Sequence, residues 1–138
     1  MSATVYTDIR AALEQRLSSL PGLPAVAWEN VKYTPVVGTP YLEPIIMWAE
    51  ATQAEIGVTG RNWERGIYQI TAVYPLDKGS SALEVMTGNI REWFKRGTEL
   101  QQNGLTVKVK NVYPGPRSTD NAGVRQPISI VFFCQTPN

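Results

Sequence analysis

With 138 residues, 43% hydrophobic and 18% charged, the chain is long enough to bury a core and reads as one soluble domain over 1–138. Lys and Arg total 13 and Asp and Glu 12, so the net charge of +1 argues against a sequence-specific nucleic-acid binder, which usually carries a basic excess. There is no histidine, which removes Ser-His and Cys-His nucleophile pairs, histidine metal sites and histidine general bases together. The single cysteine, Cys134, cannot pair within the chain, and in the apolar run "ISIVFFC" it reads as a buried, inert thiol. No apolar stretch approaches the roughly 18–20 residues that span a bilayer. The start "MSATVYTDIRAALEQRL" lacks a basic segment followed by an apolar one, so the expectation is no signal peptide, no membrane partner and synthesis in the cytoplasm.

Residues 3–20 read as a helix, with Val5, Ile9, Leu13, Leu17 and Leu20 on one stripe and Pro21-Gly22 as its stop. A short apolar run at 23–31 suits a strand, and 31–40, with two prolines and a glycine, suits a loop or an irregular edge. The run 41–51 is strand-like; Pro44 cannot donate to a ladder, so the strand begins after it or lies at an edge there. Residues 55–66 mix turn residues with charge. The clearest strand is 66–75, whose Tyr68, Ile70, Ala72 and Tyr74 form a uniformly apolar face that predicts contact with the core. A second helix follows at 81–96, with Leu83, Met86, Ile90, Trp93 and Phe94 as its stripe and Gly97 at its end. Alternation at 105–113 predicts a strand with one wet face; 114–127 reads as a polar connector, mobile over 114–126; 128–136 is a last strand, apolar on both faces for part of its length. The expected architecture is α+β, a mainly antiparallel sheet with two helices packed on one face, in the order α-β-β-β-α-β-β.

Strand, glycine, serines and helix in "DKGSSALE" (77–84) have the layout of a phosphate-binding turn. A P-loop, however, ends in Gly-Lys-Ser/Thr after an upstream glycine, and here the order is Lys-Gly-Ser with that glycine missing. Ser81 with Glu84 three residues on completes a capping box instead: the Ser81 hydroxyl accepts from the Glu84 amide and the Glu84 carboxylate reaches back. Glu43, Glu50 and Glu55 have no regular spacing that would pair them for acid–base work. No enzyme and no cofactor is expected. In "GRNWERG", Arg61 and Arg65 flank Trp63; such a cluster can stack bases, but Glu64 inside it and the near-zero net charge favour a protein interface. Arg117 and Arg125, in the polar connector, are the other charged residues that a core does not require, so Arg61, Trp63, Arg65, Arg117 and Arg125 are the candidate contacts.

The stretch "ERGIYQITAVYPLDKGSSALEVMTGNIREWFKRGTEL" (64–100), with the leading helix "YTDIRAALEQRL" and the closing strand "QPISIVFFC", resembles the phage tail terminator, or tail completion, family, which includes proteins that prophages encode. The resemblance implies an α+β domain that assembles with itself into a hexameric ring. Such a ring caps the tail tube, stops its polymerisation and offers a surface to the head–tail connector. The implied partners are other copies of the chain, the tail tube protein and the connector protein, and the implied place is the virion tail, after synthesis in the bacterial cytoplasm. None of the matching motifs is catalytic, and no individual functional residue is carried over. Three other readings stay open at this point: a head–tail connector or other tail structural protein, a monomeric cellular binding module, and an unrecognised enzyme. Because the phosphate pattern of 77–84 is broken, inorganic phosphate or a nucleotide is expected to leave the melting temperature unchanged. A clear upward shift that disappears on changing Lys78 would restore the phosphate reading.

Overall fold

The structure, a computed structural model, describes residues 3–53 and 61–137; residues 55–60 of the expected charged connector lie outside them. The elements are α1 (Val5–Ser18), β1 (Ala25–Val26), β2 (Tyr41–Trp48), β3 (Thr52–Gln53) and β4 (Arg61–Tyr74), then α2 (Ser81–Trp93), β5 (Glu99–Gln102), β6 (Leu105–Pro114), β7 (Ser118–Asp120) and β8 (Gly123–Pro137). One sheet runs in the order β1-β2-β4-β8-β6-β5, with β3 also on β4 and β7 also on β8. Two helices on a sheet agree with the α+β expectation, but the sheet is mixed rather than mainly antiparallel. β1 joins β2 in parallel, since the long 27–40 connection brings the chain back to run alongside it; the other pairings are antiparallel. The element order holds approximately, with β3, β5 and β7 added.

β4 and β8 lie side by side from Arg61↔Pro137 to Tyr74↔Val124. Their even-numbered residues Tyr68, Ile70, Ala72, Ile128, Ile130 and Phe132 are fully buried, so the face expected to meet the core does so. Both helices pack on that face. Val5, Ile9, Leu13, Leu17 and Leu20 of the first stripe, and Leu83, Met86, Ile90 and Phe94 of the second, join the same core cluster. The helix ends are clasped together. Arg16 donates from Nε and Nη2 to the Trp93 carbonyl (3.0 and 2.7 Å), Trp93 Nε1 donates to the Arg16 carbonyl (2.6 Å), and the guanidinium lies 4.0 Å from the indole centre. Three hydrogen bonds and a cation–π contact thus satisfy two C-terminal carbonyls that a helix otherwise leaves open. Cys134 is buried in the core, and burial pushes its thiol up to about 11.

Pro44 sits within β2, opposite Ile70. Its other side is an edge, because β1 pairs only with Tyr41 and Leu42. Beyond it, Glu29 Oε1 accepts from the Ile46 amide at 3.0 Å and from Arg10 Nη1 at 3.0 Å. No helix among the described residues is long and apolar enough to cross a membrane.

Three local expectations need correction. Ser81 is the first helical residue rather than the cap: the cap position is Ser80, with no side-chain cap hydrogen bond, and the Glu84 amide donates to the Ser80 carbonyl at 2.9 Å. The Glu84 carboxylate stands 3.8 Å from Arg117 instead. Residues 61–66 are strand, not loop, since pairing with β8 continues to Arg61. The connector 114–126 is a hairpin of β7 and β8, its turn held by Asp120 Oδ1, which accepts from the Ala122 and Gly123 amides at 2.8 and 3.2 Å.

Gly66 is required by close approach: a Cβ there would lie 2.7 Å from the Met47 carbonyl oxygen and 2.8 Å from the Phe132 ring. Neither a strand backbone nor a fully buried ring can yield easily, so Gly66→Ala is expected to destabilise by about 1–3 kcal/mol, the usual range for overpacking. Urea unfolding of the variant checks this; an unchanged midpoint would show that the strands separate without cost.

Candidate functional site

Period-two alternation along β4 and β8 sends every second side chain to the sheet face that the helices do not cover. On that face the register sets Arg65 against Phe133, Ile67 against Val131 and Met47 against Ile67. The Trp63 and Phe133 rings meet edge to face at 5.6 Å. The result is a shallow apolar concavity of about 740 Å³, floored by Met47, Trp63, Ile67, Val131 and Phe133. Met47 and Trp48 are 40% and 39% exposed, high for side chains of their size in a strand. Two cations stand at its rim, Arg65 and Lys110, and none of the described side chains that line it is acidic. Arg65 Nη2 donates to the Glu50 carbonyl at 3.1 Å, which holds the guanidinium at the border while leaving the residue exposed. Lys110 is the extra residue of an irregularity in the β6–β8 pairing between Val109 and Asn111. Bulges of this kind re-aim a side chain, as Lys110 is re-aimed to the rim.

Within "GRNWERG" the alternation separates the residues. Trp63 and Arg65 belong to the open face. Glu64 is buried on the helix side, where the Tyr6 hydroxyl donates to it at 3.4 Å. The negative charge of Glu64, with burial and that hydrogen bond, raises the Tyr6 phenol above its ordinary value. Arg61 opens β4 opposite Pro137; its side chain lies outside what the structure describes.

Arg117 and Arg125 are engaged within the chain. Arg125 Nη1 lies 2.5 Å from Glu43 Oε1, and its Nε donates to Asp120 Oδ2 at 2.6 Å. Arg117 Nε donates to Gln126 Oε1 at 2.7 Å, and Gln126 Nε2 in turn donates to the carbonyls of Gly115 (2.6 Å) and Pro127 (3.0 Å). These contacts, rather than apolar burial, order the hairpin. Of the five candidates, the structure brings Trp63 and Arg65 together at one surface and places Arg117 and Arg125 at the hairpin. Sequence reasoning missed Met47, Ile67, Lys110, Val131 and Phe133. The usable signal was the doubly apolar run 128–136, for which two helices supply only one cover. No group of three or more acidic or cysteine side chains able to hold a metal occurs among the described residues.

The described residues thus define a two-helix α+β domain with one sheet face that they leave open, apolar and cation-rimmed. The phage tail terminator protein family matches residues 8–132, and the chain belongs to that family. It is a phage tail structural protein, of a family that is structural rather than enzymatic. A solved structure with 31% identity superposes with a TM-score of 0.74 and covers 94% of each chain. A chain of the virion of a native gene transfer agent particle shares the fold, at 16% identity and a TM-score of 0.57, covering 99% of this chain and 100% of its own. No curated protein matches the sequence.

The hairpin cluster has a pH signature. The Arg125 hydrogen bond, aided by the Ala122 and Gly123 amides and opposed by desolvation, holds the Asp120 carboxyl below the usual carboxylate range. A native value below the unfolded one means that the stabilising contribution is present above the ordinary aspartate value and is lost as pH falls through the native one. Titration of the Asp120 carboxyl by carbon NMR is expected to give a midpoint below that of a free aspartate, rising toward it in Arg125→Gln. Equal midpoints in the two proteins would mean that the ion pair does not persist in solution.

Proposed function

We propose that this chain assembles into a ring, a hexamer as in the family, that caps the tail tube, stops its growth and offers its other side to the head–tail connector. The observation that carries the reading is the open apolar sheet face, with Trp63 in its floor and Arg65 at its rim, on a chain of the tail terminator family. An apolar, cation-rimmed face has the composition of a protein interface: aromatic residues, methionine and arginine at the contact, with carboxylates depleted. A ring needs a heterologous contact that closes, in which one surface of each subunit meets a different surface of the next. Weak single contacts suit a subunit that stays monomeric until the tube end presents several sites together. The chain is made in the bacterial cytoplasm and ends in the virion tail, its partners being its own copies, the tube protein and the connector protein.

Polymerisation of purified tube protein with and without this chain tests the reading. Capped tubes should show a narrow length distribution and density for this chain at the head-proximal end. Identical length distributions, with no such density, would refute it. Arg65→Glu, at an exposed position, should leave the fold intact and weaken capping, most visibly at low salt, because a rim charge acts mainly on the rate of encounter. Arg61→Glu added to it should deepen the loss.

A further inference from the structure

The 27–40 connection carries the most exposed of the large apolar side chains: Val36 is 62% exposed and Val37 fully exposed. The tip is built rather than loose. Val36–Thr39 is a β-turn closed by the Thr39 amide donating to the Val36 carbonyl at 3.1 Å, with Gly38 at φ +81° in the third position, where a positive φ demands glycine. Pro35 and Pro40 flank it and restrict the chain on both sides. The stem is fixed as well: the Tyr33 ring lies 5.1 Å from that of Tyr41, the first residue of β2. A rigid turn that presents two valines to water has no role in its own core.

The apolar concavity lies at the other end of the same strand. Tyr41 and Met47 share the open face, six residues and therefore about 20 Å apart. Val37 is four residues from Tyr33 and from Tyr41, a reach of about 14 Å at full extension. In the structure no residue of the tip lines the concavity of its own chain and Val37 stays fully exposed, so the tip is free to fill that of another copy. Charge agrees with this. At the tip's end Arg125 is shared by two carboxylates, Glu43 and Asp120, so that cluster has one negative charge in excess. At the other end stand the cations Arg65 and Lys110. The tip itself, 34–40, is uncharged, and Lys32 belongs to the stem.

We infer that the Val36-Val37 turn of one subunit inserts into the Met47–Trp63–Phe133 concavity of the next, as the heterologous contact of the ring. The inference rests on the ring reading and names the two surfaces it requires. A knob and a socket at opposite ends of one strand leave one of each free on every added subunit, and closure occupies them all.

The test mixes Val37→Cys protein with Met47→Cys protein under mild oxidation, on tube ends and in concentrated solution; buried Cys134 does not compete. A cross-link between copies is expected, and the double variant should give a covalent ladder that stops at the ring size. Val37→Asp and Met47→Asp should each raise the concentration needed for assembly at least tenfold, with thermal melts unchanged, while Val85→Asp, at an exposed site on α2, should leave it unaltered. Rings that form normally from Val37→Asp and give no cross-link would overturn the contact and leave the ring reading standing. Wild-type protein that forms no ring even on tubes would overturn both. A Met47→Cys thiol protected only by added tube protein, without cross-linking between copies, would assign the concavity to the tube and overturn the inference.

Discussion

The ladder between β4 and β8 is the constraint on which the rest of the molecule depends. It pairs the strands without interruption from Arg61↔Pro137 to Tyr74↔Val124. Two strands of that length at the centre of a sheet need apolar side chains on any face that is covered. Both helices cover the same face, where Tyr68, Phe132 and Phe94 are fully buried. The opposite face carries Ile67, Val131 and Phe133, and among the described residues no element lies over them. The open surface is thus a direct product of the central ladder.

Around that ladder, polar groups hold elements that apolar packing alone would leave loose. Arg16 and Trp93 clasp the helix ends, so the two helices meet the sheet as one layer. Arg125 joins β8 to β2 through Glu43 and to the hairpin through Asp120. Gln126 is buried, and its amide bridges two carbonyls, so its polar atoms are satisfied inside the fold. Arg16, Trp93 and the Arg125–Glu43 pair act across long stretches of sequence, whereas Gln126 works within the hairpin region, and each replaces water at a backbone carbonyl or a charge.

Local periodicity made much of the fold legible. Both helical stripes, the core-facing side of β4, the edge at Pro44 and the burial of Cys134 follow from spacing and residue type. What was not legible depends partly on partners far away in sequence and partly on local polar contacts that periodicity does not report. The strand character of 61–66 comes from pairing with 132–137, which overrides a local composition of Asn, Arg and Glu. The hairpin at 118–125 looks like a polar connector because ionic contacts, not apolar alternation, hold it. The capping box failed by one residue: the helix starts at Ser81, so Ser80 occupies the cap position and Glu84 turns outward to Arg117. At the site, Trp63 and Arg65 were visible as residues that no core needs. Met47, Val131 and Phe133 were hidden among core-like neighbours, since the sequence alone does not tell which face of a doubly apolar strand is left uncovered.

The edge of β2 carries one more consequence. Alternation turns the backbone donors of Leu42, Pro44 and Ile46 outward from β4. Leu42 is matched by β1, proline has no N–H, and the Ile46 amide is held by Glu29. Along Leu42–Ile46 a foreign strand finds no row of free donors with which to extend the sheet, the usual route to fibrils. This stretch of the β2 edge is thus closed to strand addition, while the adjoining sheet face still exposes apolar side chains. At this edge, resistance to strand addition and the capacity to associate are handled by different atoms, and a substitution at Glu29 or Pro44 would join the two problems again.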